Sequence, residues 1–174
     1  MKENLMLISY DYALARRLAG SLSDFLEMRF FDMLDMFVFN NAPHSLTDVL
    51  RTNGRDYAMK EMRGVLKTEL DFSGAVFVAE PKMLGLNQDL FEKLKTCNLV
   101  VFLKRDYKTE YVTRERMVFK SQDDKEFFSL QIDELSENAM NIENNLADIV
   151  VDINNLNFEQ IKEKIQNELE NYAR

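Results

Sequence analysis

Glycine is scarce in this chain, with five in 174 residues. Few glycines mean few places where a backbone can approach a ligand closely or take a left-handed turn. Loops that cradle phosphates or dinucleotides depend on such places, so the composition counts against both chemistries. The single cysteine, Cys97, excludes an internal disulfide. It precedes an apolar run and has no Cys–His motif beside it, so it reads as a buried, inert thiol. The single histidine, His44, follows Pro43. Its nearest acids, Asp35 and Asp48, form no metal-ligand spacing, and it reads as a surface turn residue. Positive charge is also short. The net charge is −8 and the pI about 4.8, which argues against nucleic acid or an anionic membrane as partner, since both require a basic surface. The apolar run Leu5–Ile8 is too short for a secretion signal or a membrane span, and a cytoplasmic location is expected.

What is present is a soluble globular profile, 46% hydrophobic and 30% charged. Thirteen phenylalanines and ten methionines predict an aromatic, adaptable interior. Strand-like and helix-like segments alternate. Leu5–Ile8 reads as a buried strand, and a helix follows from about Asp11 to Phe25. Asp11 suits its N-cap, and Leu14, Leu18, Leu22 and Phe25 form one apolar face. Met28–Phe31 reads as a short strand ending at Asp32. Residues 45–70 read as two helical pieces parted at Asn53-Gly54, the first opened by Ser45 with Asp48 three positions on. Ala75–Ala79 is a buried strand that Pro81 stops. Asn87–Lys95 is a short helix with Leu90, Phe91 and Leu94 inward. Asn98–Leu103 is the clearest strand. Residues 124–145 read as an acidic, Asn-rich helix and Ala147–Ile153 as a last strand. Asn157–Tyr172 is a closing helix with Phe158, Ile161, Ile165 and Leu169 on one face.

Continuous apolar strands separated by helices imply a parallel sheet covered on both faces. No linker or repeat divides the chain. The expectation is one domain over residues 1–174, a three-layer α/β/α fold with a five-stranded parallel sheet.

The turn after the first strand is Ser9-Tyr10-Asp11-Tyr12. A phosphate loop would need glycines, then a Lys and a Ser or Thr. This turn has neither glycine nor lysine, and it carries an acid.

The order of the segments resembles the shikimate kinase family, a branch of the nucleoside-monophosphate-kinase-like phosphate-loop fold, over nearly the whole length. Arg16-Arg17-Leu18-Ala19 looks like the helix after that family's phosphate loop, and Phe31-Asp32 like its Asp-x-Asp strand end. Ser45–Leu50 followed by Asn53–Tyr57 is similar to its S-I-x-E-I-F and G-E-x-x-F-R-x-x-E segment. Leu99–Leu103 is similar to the strand before its lid, and Ala147–Asp152 to its closing A-D-x-V-V-D strand. The resemblance implies a P-loop-kinase-like fold with a lid-like insert at about residues 104–122.

The departures from that pattern are systematic. The eight positions of G-x-x-x-x-G-K-[ST] shrink to Ser9, Tyr10, Asp11 and Tyr12. The family's second strand-end acid, which helps to hold magnesium and substrate, falls on Leu34, with Asp35 one residue late. The substrate-gripping Arg falls on Met59, and the Gly-Gly-Gly turn on Ala79-Glu80-Pro81. Asp32, Asp35, Met59 and Glu80 are therefore the candidates for a residual pocket. Two acids alone would hold a cation only weakly, and no metal site is expected. Residues 104–120 carry six basic and three acidic side chains. In this lid-like stretch Arg105, Arg114 and Arg116 form a candidate anion or partner site, and Tyr107 and Tyr111 share a face. Tyr10 and Tyr12 are expected to fill the space that a nucleotide would take.

Phosphoryl transfer depends on positioning and charge stabilisation. The departures remove both, so binding of ATP and magnesium is expected to be lost. A carboxylate about 4 Å from a phosphate charge costs roughly 1 kcal/mol in water and roughly 4 at an effective dielectric of 20, and Asp11 would impose that cost. The leading expectation is a non-catalytic relative with a regulatory, scaffold or ligand-binding role, whose partner is a protein or a small anionic ligand. The alternatives are a module that keeps a small-molecule pocket, and an ATP-dependent, shikimate kinase-type phosphotransferase working with unusual residues.

Overall fold

The apolar runs of the sequence become strands of one sheet. The computed structural model describes residues 2–42, 44, 46–85, 87–105 and 137–172. Its strands are β1 (Asn4–Ser9), β2 (Arg29–Asp32), β3 (Ala75–Ala79), β4 (Asn98–Lys104) and β5 (Ile149–Asp152). They lie in the order β2-β3-β1-β4-β5, and every pairing is parallel. β1 is central and buried throughout, as expected where both neighbours and both faces are covered. The helices are α1 (Tyr12–Leu26), α2 (Met33–Asn40), α3 (Leu46–Glu69), α4 (Pro81–Gly85), α5 (Phe91–Cys97) and α6 (Phe158–Tyr172). A 3-10 turn spans Gln88–Leu90, and a π turn spans Ile142–Leu146.

The strand period of two divides the interior into two cores. Met6, Ile8, Phe77, Val100 and Phe102 face α2 to α5 and the π turn. Leu5, Leu7, Val76, Val78, Val101 and Leu103 face α1 and α6. Phe37, Phe77 and Phe102 are fully buried, so part of the abundant phenylalanine fills the first core. Phe31, Phe72 and Phe77 form an aromatic group within it, with centroids 4.7 to 6.4 Å apart.

The three-layer α/β arrangement, the five parallel strands and the Asp11 cap agree with the sequence reading. Leu90, Phe91 and Leu94 are buried, and so are Ile161 and Ile165. Several details differ. α2 was not expected. Its run Met33–Asn40 is apolar on nearly all sides, and such a short run carries no helical period to read. Pro81 does not merely stop β3 but opens α4, at the position where a missing N–H costs nothing. Phe25 is 57% exposed, because α1 turns Leu26 rather than Phe25 toward its core. Cys97 is only partly buried, since it ends α5. Ser45, most of the lid-like stretch, Tyr107, Tyr111, Arg114, Arg116 and residues 124–136 lie outside the described residues.

The expected break at Asn53-Gly54 is present. Gly54 interrupts α3 with φ 82° and ψ 174°, a conformation that is nearly restricted to glycine. A Cβ at Gly54 or at Gly64 would meet nothing within 4 Å, so space does not distinguish the two sites. Gly54→Ala is expected to lower stability by about 1–3 kcal/mol through backbone strain. Gly64→Ala, in regular helix, is expected to raise it by roughly 0.5–1 kcal/mol. Urea unfolding midpoints for the two variants should move in opposite directions.

Candidate functional site

β1 hands the chain to α1 on one face of the sheet, and its neighbour β3 hands it to α4 on the other. Open parallel sheets have their ligand crevice at such a divergence, outside the carboxyl ends of the strands. Ser9, Asp32, Ala79 and Lys104 all end strands on this side, so the fold itself gathers the candidate residues.

Only Tyr10 and Asp11 separate β1 from α1. Ser9 is fully buried. Its Oγ donates to the Leu103 carbonyl at 3.4 Å and accepts the Asp11 N–H at 3.1 Å, which fixes the turn. Asp11 caps α1: its Oδ1 accepts the Leu14 N–H at 3.2 Å. Its Oδ2 accepts from Arg105 Nη1 at 2.8 Å. Both oxygens of this carboxylate are therefore engaged, one by a helix amide and one by a guanidinium. The Tyr10 ring is buried in the core on the α2–α5 side. Tyr12 packs partly against the opposite core, so neither ring stands free in solvent.

Asp32 ends β2 and caps α2. Its Oδ1 accepts the N–H groups of Leu34 at 2.9 Å and Asp35 at 3.0 Å, and also the Tyr12 hydroxyl. Arg16 Nε stands 3.1 Å from Oδ2 as an ion pair, off the angle of a hydrogen bond. Arg16 then reaches Asp35 at 2.5 Å. The two acids are thus brought together, but around a guanidinium that occupies the place between them. Asp32 is buried, whereas Asp35 and Arg16 are about half exposed. Burial raises the Tyr12 phenol far above the usual tyrosine range. The hydrogen bond to Asp32, the Asp32 charge and the Glu80 charge add to this rise, while the Leu34 N–H opposes it.

The other candidates divide. Glu80 is half-buried and close enough for its charge to act on Tyr12. Met59 is half-buried on α3 and offers no charge to a ligand. Arg105 is turned to Asp11 rather than left for an external anion. His44 is exposed. Among the described residues no three His, Cys, Asp or Glu side chains group to hold a metal, and no helix is long and apolar enough to cross a membrane. The sequence reading missed Arg16 as a member of this site. It also missed the 2.8 Å pair of Lys104 with Glu143. Both pairings are long-range, and no local spacing signals them.

No protein-family model matches the chain, and no curated protein matches it either. Solved structures do. Shikimate kinase from Aquifex aeolicus superposes with a TM-score of 0.72 at 23% identity, over 98% of each chain. Shikimate kinase from Acinetobacter baumannii, in complex with shikimate, gives 0.75 at 15% identity, over 99% of this chain and 96% of that one. The enzyme from Bacteroides thetaiotaomicron gives 0.74 at 16%, over 96% and 98%. The chain therefore has a shikimate-kinase-like P-loop fold, an α/β architecture with an all-parallel five-stranded sheet.

Two measurements test the Asp32 node. Asp32→Ala is expected to cost about 2–4 kcal/mol, from a lost cap and an orphaned phenol, whereas Asp32→Asn, which keeps a cap acceptor, should cost less. In a spectrophotometric titration of the folded protein, the Tyr12 phenol should resist ionisation well above the usual tyrosine range, and Tyr12→Phe should remove that late phase. The folded phenol favours its proton, so this group leaves stability untouched below about pH 10 and subtracts from it above.

Proposed function

We propose that this chain is a non-catalytic, shikimate-kinase-like protein that acts by binding, in a regulatory or scaffold role, and transfers no phosphoryl group. The observation that carries the reading is the Asp11 carboxylate. The N-terminus of a helix following a strand attracts phosphate. At α1 an internal anion takes that place, held by the Leu14 amide and by Arg105. The sequence alone suggested bare repulsion by Asp11. With Arg105 paired to it, the stronger argument is occupation: a phosphate would have to displace a carboxylate that already has its donors.

The residues at the turn do not fit a nucleotide triphosphate with its magnesium. The turn has no lysine and no glycine. Asp32 and Asp35 are held by Arg16. A binding role is supported by exposed aromatic surface: Phe39 on α2 is 83% exposed and Tyr57 on α3 is 40% exposed. Tyr57 reaches Asn41, at the end of α2, at 3.4 Å, so these side chains lie on joined elements. Exposed apolar groups of this kind suit a protein partner. A small anionic ligand is the other candidate, and at Arg105 it would have to displace the Asp11 carboxylate.

In a coupled kinase assay with shikimate, ATP and magnesium, no turnover above blank is expected; measurable turnover would refute the reading. A positive test uses Asp11→Ser. Serine keeps a cap but removes the internal anion. Inorganic phosphate should then raise the melting temperature of the variant and leave the parent unchanged. Equal shifts in both, or none in the variant, would contradict occupation by Asp11.

A further inference from the structure

At the amino end of the strands, α3 ends on Glu69, whose side chain is fully buried. Neither of its carboxyl oxygens meets a hydrogen-bond donor in good geometry. The Oδ1 of Asn98, at the start of β4, is also buried and meets none. The Asn98 side chain lies within hydrogen-bonding range of the Glu69 carboxyl. Its Nδ2 already donates to the Leu94 carbonyl at 2.8 Å. That bond fixes the amide, because a flipped amide would set Oδ1 against the Leu94 oxygen, acceptor against acceptor. Both Glu69 oxygens and Asn98 Oδ1 are therefore buried acceptors without a donor, and a proton kept on the Glu69 carboxyl would supply one.

We propose that Glu69 is held as the neutral carboxylic acid, which makes the packing of the end of α3 against the start of β4 dependent on a proton. The neighbouring Asn4 amide is committed elsewhere. Asn4, the register partner of Asn98, gives its Nδ2 to the Phe72 carbonyl at 2.8 Å and accepts the Ala75 N–H at 3.2 Å. No charged side chain of α3, α5, β1 or β4 acts on Glu69. Burial pushes its carboxyl up to about 8, against the lowering effect of a hydrogen bond donated by Asn98. The sign follows directly. Between about 4.5, the unfolded value, and about 8, the folded chain binds a proton that the unfolded chain does not. Stability therefore falls as pH climbs through that window and levels off above it.

The test compares the full-length parent with Glu69→Gln by thermal melts from pH 5 to pH 8.5. Glutamine is the neutral counterpart of the protonated acid and has no titrating proton. The variant should match the parent near pH 5, melt several degrees higher at pH 8, and show a flatter pH profile. Lower stability of Glu69→Gln at pH 8 with an unchanged profile would overturn the proposal. Carbon-13 NMR of the Glu69 carboxyl in the parent gives an independent reading that needs no variant. Titration well above the ordinary glutamate range supports the proposal, and titration near 4.5 refutes it.

Discussion

Two residues join the central strand to the first helix, and that brevity governs the carboxyl end of the sheet. A connection of this length cannot form a broad cradle of amides. It brings the first turn of α1 close to the end of β1 and leaves Asp11 as the cap. Because β4 neighbours β1, Arg105 then falls beside Asp11. The same geometry points Tyr12 at the end of β2, where Asp32 receives it. Two separate carboxylates, each capping a helix and each paired with an arginine, thus stand at the end of the sheet where this fold class places its ligands.

The two nodes differ in their energetics. Asp11 and Arg105 are both partly exposed, and a pair of this kind contributes little to stability. Its significance lies in occupying donors. Asp32 is buried and collects two backbone amides, a phenol and a guanidinium. Removing it would leave several groups without partners, and that asymmetry makes it a structural anchor. Glu69 is a third kind of acid, buried with no cation beside it among the described residues. Such a group keeps its proton rather than its charge.

Much of the architecture was legible in the sequence because the physics that sets it is local. Apolar runs such as Ala75–Ala79 and Asn98–Leu103 can only be buried strands when helices separate them. Asp11 before an apolar helical face is a cap wherever it occurs, and Asn-Gly interrupts a helix. The features that stayed hidden depend on neighbours distant in sequence. Arg16 reads as an ordinary exposed helix residue until β2 delivers Asp32 and Asp35 to it. α2 has no polar face to reveal its period. Phe25 fits the helical spacing as well as Leu26 does, and only packing decides between them. Glu69 lies on a helix end rich in charge, and nothing in its surrounding sequence foretells burial against Asn98.

The central claim is that the chain's own carboxylate holds the place of a phosphate. Isothermal titration of the full-length protein with magnesium–ADP tests it most directly, since binding is read without any requirement for turnover. The account predicts no saturable heat at millimolar nucleotide. A saturable isotherm that is abolished by Arg105→Ala would contradict it, because the guanidinium would then serve the nucleotide rather than Asp11.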